Sequence, residues 1–326
     1  MNQKTSERQL RLDYVDLAKC AAILLVVAGH IIQCYFAKGE EEPLYSFIYG
    51  FHMPLFFLLS GYVMGVTRQK LQRQSFLNWL LHKMQTLLLP YIVWRLFIYR
   101  FIDPAGHSPL DVDALRLLIE NSRSDGAWFL MSLFCIQVVC YPVLRFNKLF
   151  TWGIPVLFLV VGHLLGGSWY YFNPYHYASF LAGYVLYLFQ DRVIRPDVAS
   201  FAAICFVVFE IVYPNPIILT LSISISLLYV CKRVCGISKY RSSLFYKEGV
   251  LIGRNTLSIY LLHVLIVFPV ALLHIDFSCF RQTPILLITL AISVFVSLVC
   301  VGIAKIVEFF PILNFILFGK VSKGLA

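Results

Sequence analysis

Three ionisable side chains lie in an otherwise apolar stretch near the N-terminus, and their types suit proton transfer. They are Asp16, Lys19 and His30, in the segment 11–33, whose first residues also include Arg11 and Asp13. Because Lys19 and His30 are eleven residues apart, a helix would place them about 20° from eclipsed and about 16 Å apart along its axis. Asp16 lies one turn before Lys19 on nearly the same stripe. An imidazole titrates near neutrality, so the stripe predicts a general base with charged residues behind it.

Two simpler interpretations of this stripe stay open. Asp16 and Lys19 form an ion pair at the membrane surface in the first, with the Lys19 ammonium extended towards water. In the second, His30 makes a hydrogen bond to another helix, as single polar residues in membrane helices commonly do. Ionisable residues within a span face the protein interior or a watery cavity, which favours the functional interpretation.

A second histidine occurs at matching depth in the next apolar segment. His52 precedes Arg68 by sixteen residues, and His30 follows Asp16 by fourteen. Both imidazoles therefore fall in the predicted outer half of the membrane. Pro54 lacks a backbone N–H and bends helices, which would open room beside His52.

The same segment contains a GxxxG pattern and one serine. Gly61 and Gly65 predict the close approach of another helix. Ser60 has no GxSxG context, so we expect its hydroxyl to bond to the backbone rather than to act as a nucleophile.

The composition requires membrane helices to position these residues. The chain has 326 residues, of which 60% are hydrophobic and 13% charged, whereas soluble domains are about half apolar and a quarter charged. The predicted fold is all-α, a polytopic membrane bundle of about ten transmembrane helices in one domain, residues 1–326. The predicted helices are 15–36, 44–66, 84–101, 127–145, 151–166, 175–190, 198–213, 216–232, 252–274 and 284–307.

The distribution of basic residues predicts the orientation. With the N-terminus inside and the helices alternating, most of the 27 Lys and Arg residues fall in inner segments, as cytoplasmic loops require. Both termini are therefore expected in the cytoplasm of a multi-pass protein of the inner, or plasma, membrane. The net charge of +10 follows from this bias, and we expect no nucleic-acid partner. The nine scattered cysteines form no CxxC, so neither a disulfide framework nor a metal site is expected.

Four motifs are spread along the chain, from residue 11 to 263. They are Asp16, Lys19 and Gly29-His30, then FHMPLFF at 51–57 followed by SGY at 60–62, then WFL at 128–130, and GRNTLSIYLLH at 253–263. Together they resemble the membrane acyltransferase family often called acyltransferase 3, which includes sugar O-acetyltransferases of bacterial envelopes. Many members have Arg where this chain has Lys19, which keeps the charge but changes the hydrogen-bonding geometry.

The resemblance implies transfer of an acyl group from cytoplasmic acyl-CoA, usually acetyl-CoA, to a hydroxyl of an envelope saccharide. It carries His30 over as the essential residue, with Lys19 beside it. No permanently bound cofactor is implied, and acetyl-CoA is a co-substrate. The basic segment 67–83 would hold the donor's phosphates through Arg68, Lys70 and Arg73, although ordinary loops lying on anionic lipid have the same composition.

An oxyanion donor is also needed for acyl transfer. The candidates are His52, Trp128, Asn255 and His263, which the sequence does not rank. The simpler interpretation of His263 is an interhelical hydrogen bond. Two other functions stay open, a transporter or flippase for a glycan or acylated intermediate, and a pH-responsive sensor. The acceptor sugar, the acyl chain, the leaflet of transfer and the oligomeric state are not specified by the sequence.

Overall fold

The computed structural model describes residues 3–36, 38–95, 127–146, 148–164, 173–212, 216–271 and 285–321, and every regular element in these ranges is a helix. The helices are α1 (Gln3–Tyr35), α2 (Pro43–Val66), α3 (Arg68–Arg73), α4 (Phe76–Lys83), α5 (Leu89–Val93), α6 (Trp128–Phe146), α7 (Gly153–Leu164), α8 (Pro174–Leu188), α9 (Gln190–Val193), α10 (Pro196–Val212), α11 (Pro216–Gly236), α12 (Ser238–Arg241), α13 (Leu244–Arg254), α14 (Thr256–Ala271), α15 (Ile285–Glu308) and α16 (Pro311–Phe318). Met84–Leu88 forms a π-helical turn between α4 and α5. The predicted all-α class is confirmed.

Several described helices are long and apolar enough to cross a membrane, so the chain is a multi-pass membrane protein. Five have the length and composition of a membrane span: Asp13–Tyr35, Pro43–Val66, Trp128–Phe146, Ile217–Gly236 and Ile285–Glu308. The pair α13 and α14 would make a sixth if it is one broken span. The predicted span 84–101 continues beyond the described residues at position 95, and the count of ten and the placement of the termini stay predictions.

The predicted helix 252–274 is wrong at its start. Two helices occur there instead, because α13 ends at Arg254, α14 begins at Thr256, and the two are bent by 86°. Asn255 has non-helical dihedral angles, φ −107° and ψ 19°. Its side chain donates to the Leu251 carbonyl at 2.9 Å. Asparagine competes in this way for backbone partners, which explains the break.

The chain divides into two compact units. The first comprises Met1–Gly65 and Ala178–Val301. Helix α1 is central in it and packs against α11, α13 and α14. Ile23, Ile31 and Ile32 of α1 have no accessible surface, so the sequence's first apolar stretch forms the core of this unit.

The glycines of α2 bring its backbone against α8. A Cβ at Gly61 would overlap the Phe180 carbonyl, and one at Gly183 would overlap the Leu58 carbonyl. Only glycines on both helices allow this approach. A Cβ at Gly65 would likewise overlap the Tyr187 side chain of α8. The predicted role of the GxxxG pattern is confirmed.

The second unit comprises Val66–Tyr177 and Gly302–Ala326. In it the buried Trp79 ring packs on Tyr141 of α6, with centroids 4.6 Å apart. Arg145 donates to the carbonyls of Leu71, at 3.2 Å, and Gln74. Both carbonyls lie at the C-terminal end of α3, where helix carbonyls keep free capacity to accept hydrogen bonds.

The C-terminal helix of the second unit is fixed by two side chains from the α4–α5 region. Trp94 Nε1 donates to the Leu317 carbonyl at 2.8 Å, and Gln85 Nε2 donates to the Gly319 carbonyl at 2.9 Å. Gly319 has φ +64° and ends α16 in the left-handed conformation, which glycine adopts without steric cost.

Candidate active site

An ion-pair cluster joins the middle of α1 to the bend between α13 and α14. Asp16 Oδ1 lies 2.7 Å from Lys19 Nζ, and Asp16 Oδ2 accepts a hydrogen bond from Arg254 Nε at 3.2 Å. Arg254 Nη2 also lies 2.8 Å from Asp13 Oδ1. Two carboxylates thus share one guanidinium. The ion pair expected between Asp16 and Lys19 is present, and a catalytic part for either residue stays a prediction.

Close backbone packing places Arg254 beside these carboxylates. A Cβ at Gly253 would overlap the Asp16 carbonyl, and one at Gly249 would press on Leu17. The GxxxG spacing of Gly249 and Gly253 therefore lets α13 lie directly against α1. Tyr246, one turn earlier, donates to Asp13 Oδ2 at 2.9 Å. The cluster is built from α1 and α13 together.

His30 lies near the other end of α1, in a hydrogen-bonded chain. Its Nδ1 is 3.2 Å from Gln33 Oε1, and Gln33 Nε2 donates to Glu40 Oε1 at 2.7 Å. The carboxylate can only accept, which fixes the orientation of the Gln33 amide. Since Gln33 Oε1 must accept in turn, His30 Nδ1 carries the proton. The other ring nitrogen, Nε2, is then left with a lone pair.

Tyr49 of α2 lies between His30 and His52. Its hydroxyl is 3.4 Å from His30 Nδ1, and its ring centroid is 4.5 Å from that of His52. A Cβ at Gly29 would press into the Tyr49 ring. The glycine preceding His30 therefore has a steric explanation, because any side chain there would displace Tyr49.

His263 of α14 completes the cluster. Its ring centroid lies 5.3 Å from that of His30, and Phe268 packs on His30 at 5.6 Å. His263 Nδ1 donates to the Ile259 carbonyl at 3.0 Å, and His52 Nδ1 donates to the Ile48 carbonyl at 2.9 Å. Both neutral rings therefore present Nε2 as an acceptor, and either could donate to an oxyanion only as an imidazolium.

The three histidines differ in accessibility. His52 is 5% exposed and His263 is 1% exposed, whereas His30 is partly buried. His263 Nε2 is buried without a hydrogen-bond partner among the described residues. A buried acceptor without a partner is costly unless a ligand supplies the donor. His30 is therefore the accessible imidazole of the three, and His263 is a buried polar group beside it.

The α1 members of the two clusters lie on one continuous helix, as the periodicity of the sequence predicted. Lys19 and His30 both belong to α1, which separates them by about 16 Å along the axis. Lys19 therefore does not contact the imidazole. It belongs to the Asp16–Arg254 cluster instead.

The predicted phosphate-binding residues lie in the second unit, on α3. Lys70 and Arg73 are exposed, and Arg68 is partly buried with its Nε lacking a hydrogen-bond partner among the described residues. On α4, burial and the nearby Lys70 ammonium lower the pKa of Lys83 to about 8. The segment therefore concentrates positive charges, and a bound anion would lower the repulsion between them.

The remaining oxyanion candidates occupy other surroundings. Trp128, at the start of α6 in the second unit, stacks on His176 with centroids 5.4 Å apart. Asn255 lies at the α13–α14 break, about 12 Å from His263 along α14, and donates to Leu251. Ser60 donates to the Phe56 carbonyl at 2.8 Å, as predicted.

Within the described ranges, no group of His, Cys, Asp or Glu side chains has the arrangement needed to hold a metal ion. Eight cysteines fall in these ranges, and none forms a disulfide. Cys279 lies outside them.

Sequence reasoning missed the partners that orient the predicted residues. Gln33 and Glu40 are ordinary polar residues near a helix end, Tyr49 is one aromatic among many, and Asp13 and Arg254 are 241 positions apart. One signal was present, since Arg254 lies at the start of the GRNTLSIYLLH motif, whose later residues 257–262 are mostly apolar. A charged residue at the edge of an apolar helix needs a partner of opposite charge.

Comparison with known proteins identifies an acyltransferase family. Residues 12–305 match the family described as "Acyltransferase domain". Two curated relatives are called nodulation protein NolL, one from Mesorhizobium japonicum, 30% identical over 46% of this chain and 40% of its own length, and one from Sinorhizobium fredii, 29% identical over 42% and 38%. The chain thus spans about two fifths of the length of the curated relatives it matches. No solved structure matches the chain significantly.

Proposed function

This chain belongs to the acyltransferase domain family, and we propose that it transfers an acetyl or similar short acyl group from acyl-CoA to a hydroxyl of an envelope saccharide, in the plasma membrane. The observation that carries the proposal is the arrangement around His30. Its Nδ1–H donates to Gln33 Oε1, with 3.2 Å between the nitrogen and the oxygen. Nε2 is then free to act as a base, and the side chain is partly accessible.

His30 acts as the general base in this proposal. Nε2 takes the proton of the acceptor hydroxyl as that oxygen attacks the thioester carbonyl carbon. The tetrahedral intermediate collapses, the C–S bond breaks, and the sulfur leaves with the proton returned from the imidazolium. The products are the O-acylated saccharide and free CoA. Gln33 and Glu40 favour the imidazolium. Gln33 Oε1 accepts a hydrogen bond from the Nδ1–H group of His30, and the Glu40 carboxylate polarises the Gln33 amide by accepting from its Nε2.

Donor binding is assigned to the basic segment of the second unit. Arg68, Lys70 and Arg73 would contact the phosphates of the donor, and the buried Arg68 Nε, which has no partner among the described residues, supports this. The cluster of Asp16, Lys19 and Arg254 would keep α1 and α13 in register and so fix the position of the helix that carries His30.

A labelled-donor assay tests the proposal. Membranes containing the chain are incubated with acetyl-CoA labelled in the acetyl group and with envelope saccharide. We expect label in the saccharide, and His30→Ala should lower the rate about 10²–10⁴-fold. Ser60→Ala is the matched control and should retain activity, because its hydroxyl bonds to the Phe56 carbonyl of its own helix. Saccharide movement without label transfer would instead indicate the transporter alternative.

A further inference from the structure

A cavity at the end of α11 opens to the protein surface, where four of its six lining residues are exposed. It measures about 350 Å³ and is lined by Ile194, Tyr229, Lys232, Arg233, Gly236 and Ile237. Its walls combine two cations, a phenol and two aliphatic side chains, which suits an anion attached to an apolar body.

The spacing of the α11 residues explains why they share the cavity. Tyr229, Lys232, Arg233 and Gly236 occur at i, i+3, i+4 and i+7, which is one face of a helix. A different face carries the buried Cys235, whose Sγ lies 3.5 Å from the Tyr246 hydroxyl. The last turns of α11 therefore separate a core-facing side from a cavity-facing side.

The cations in the cavity have no counter-ion within the part of the chain that the structure describes. No carboxylate there lies within 4.0 Å of Lys232 or Arg233, whereas Arg195, next to the cavity residue Ile194, is paired with Asp197 at 3.3 Å. The stretch from Tyr229 to Lys247 contains five basic residues and no acidic residue. A bound anion would thus meet attraction without competition from a carboxylate.

Glycine at position 236 leaves the cavity open. A Cβ built there meets nothing within 4 Å, so a side chain would project into free space. Further along the same basic stretch, Phe245 is 91% exposed and Leu244 is 70% exposed. In a membrane protein such exposed apolar side chains next to basic residues are typical of the zone of lipid headgroups.

We propose that this cavity binds a phosphate ester, with Arg233 and Lys232 on the phosphate oxygens and Tyr229 and Ile237 against the attached apolar group. An arginine fork and an ammonium are the side chains best suited to phosphate. The phosphate can be that of an anionic phospholipid or that of a soluble ester such as coenzyme A. The proposal does not rest on acyl transfer, because its test does not measure activity.

The test measures binding to the purified full chain in detergent. One arm titrates phosphatidylglycerol against phosphatidylcholine and counts retained lipid by native mass spectrometry; the other titrates coenzyme A by calorimetry. We expect Lys232→Ala/Arg233→Ala to weaken binding about tenfold or more in one arm. Gly236→Glu should do the same, because a Cβ at this lining position meets nothing within 4 Å and the added carboxylate would repel a phosphate.

The matched control removes the same charge from the same basic stretch. Lys239→Ala/Lys247→Ala lies outside the cavity lining, and we expect less than about a threefold change. A response in the phosphatidylglycerol arm identifies a lipid site, and a response in the coenzyme A arm identifies a soluble ester. The proposal is overturned if both cavity variants bind both ligands as the parent chain does, or if the control variant weakens binding equally.

Discussion

The imidazole rings of His30 and His263 lie with their centroids 5.3 Å apart, although the residues are separated by most of the chain. His263 comes from the GRNTLSIYLLH motif and His30 from the first helix. Two motifs that carry the family resemblance, the one in the first helix and GRNTLSIYLLH, thus meet at one place. This contact brings the two segments together at one candidate site.

The contact predicts that the two histidines act on one reaction step. His263→Phe keeps a ring of similar size in this buried position but removes Nε2, and we expect acyl transfer to fall about tenfold, the value of one hydrogen bond to a reacting group. His30→Ala should cost about 10²–10⁴-fold. The double variant should be no slower than His30→Ala alone. Effects that multiply would show instead that the residues act independently.

The orientation of His30 gives a second prediction. Gln33→Ala removes the acceptor of the Nδ1 proton, and Glu40→Gln removes the charge that orients Gln33. We expect kcat to fall about threefold to tenfold for Gln33→Ala, with less effect for Glu40→Gln and KM unchanged in both. Steady-state kinetics with acetyl-CoA measures this. A rise in KM without loss of kcat would place Gln33 in substrate binding rather than in orientation of the base.

The sequence predicted what lies on single helices and missed what joins them. The Lys19–His30 stripe, the GxxxG approach at Gly61 and the Ser60 backbone bond all follow from local periodicity. The break at Asn255 was not predicted. Its side chain competes with the helix backbone by donating to the Leu251 carbonyl, and hydrophobic periodicity does not show whether that bond or the continued helix is more stable. Partners such as Arg254 depend on which helices become neighbours, and a single sequence does not specify that.

The ion-pair cluster predicts a difference between charge and geometry at position 19. Lys19 lies 2.7 Å from Asp16 and is partly exposed. Lys19→Arg keeps the charge and should retain at least about a third of the activity, whereas Lys19→Met should lose more. Neither should lower the unfolding free energy by more than about 1 kcal/mol, because partly exposed ion pairs contribute little. Thermal unfolding beside the transfer assay separates the two effects, and equal activity of both variants would make the pair structural only.

The close packing of α13 on α1 gives a prediction about stability. Gly253→Ala would force a methyl group against the Asp16 carbonyl, and overpacking of this kind costs about 1–3 kcal/mol. Gly50→Ala is the matched control in the same unit, because a Cβ at Gly50 meets nothing within 4 Å. We expect the control to be neutral or slightly stabilising, since alanine favours helices. The unfolding temperature in detergent is the measurement, and equal values for both variants would contradict the packing argument.

The basic segment of the second unit predicts a pH-dependent response to the donor. Burial, and next the Lys70 ammonium, lower the pKa of Lys83 to about 8, so its neutral, reactive amine increases as the pH rises through that value. Amine labelling followed by mass spectrometry should give a midpoint near pH 8. If phosphates bind at Arg68, Lys70 and Arg73, their negative charge favours the protonated amine and raises the pKa of Lys83.

Coenzyme A should therefore move the labelling midpoint of Lys83 to higher pH. In Lys70→Gln the midpoint should already be higher without coenzyme A, because a repelling charge is gone, and the added ligand should move it less. Lys148→Gln removes an exposed basic residue of the same unit outside the segment, and its response to coenzyme A should match that of the parent chain. An unchanged midpoint in the parent chain at saturating coenzyme A would exclude this segment as the phosphate site and direct the search for donor contacts to the first unit.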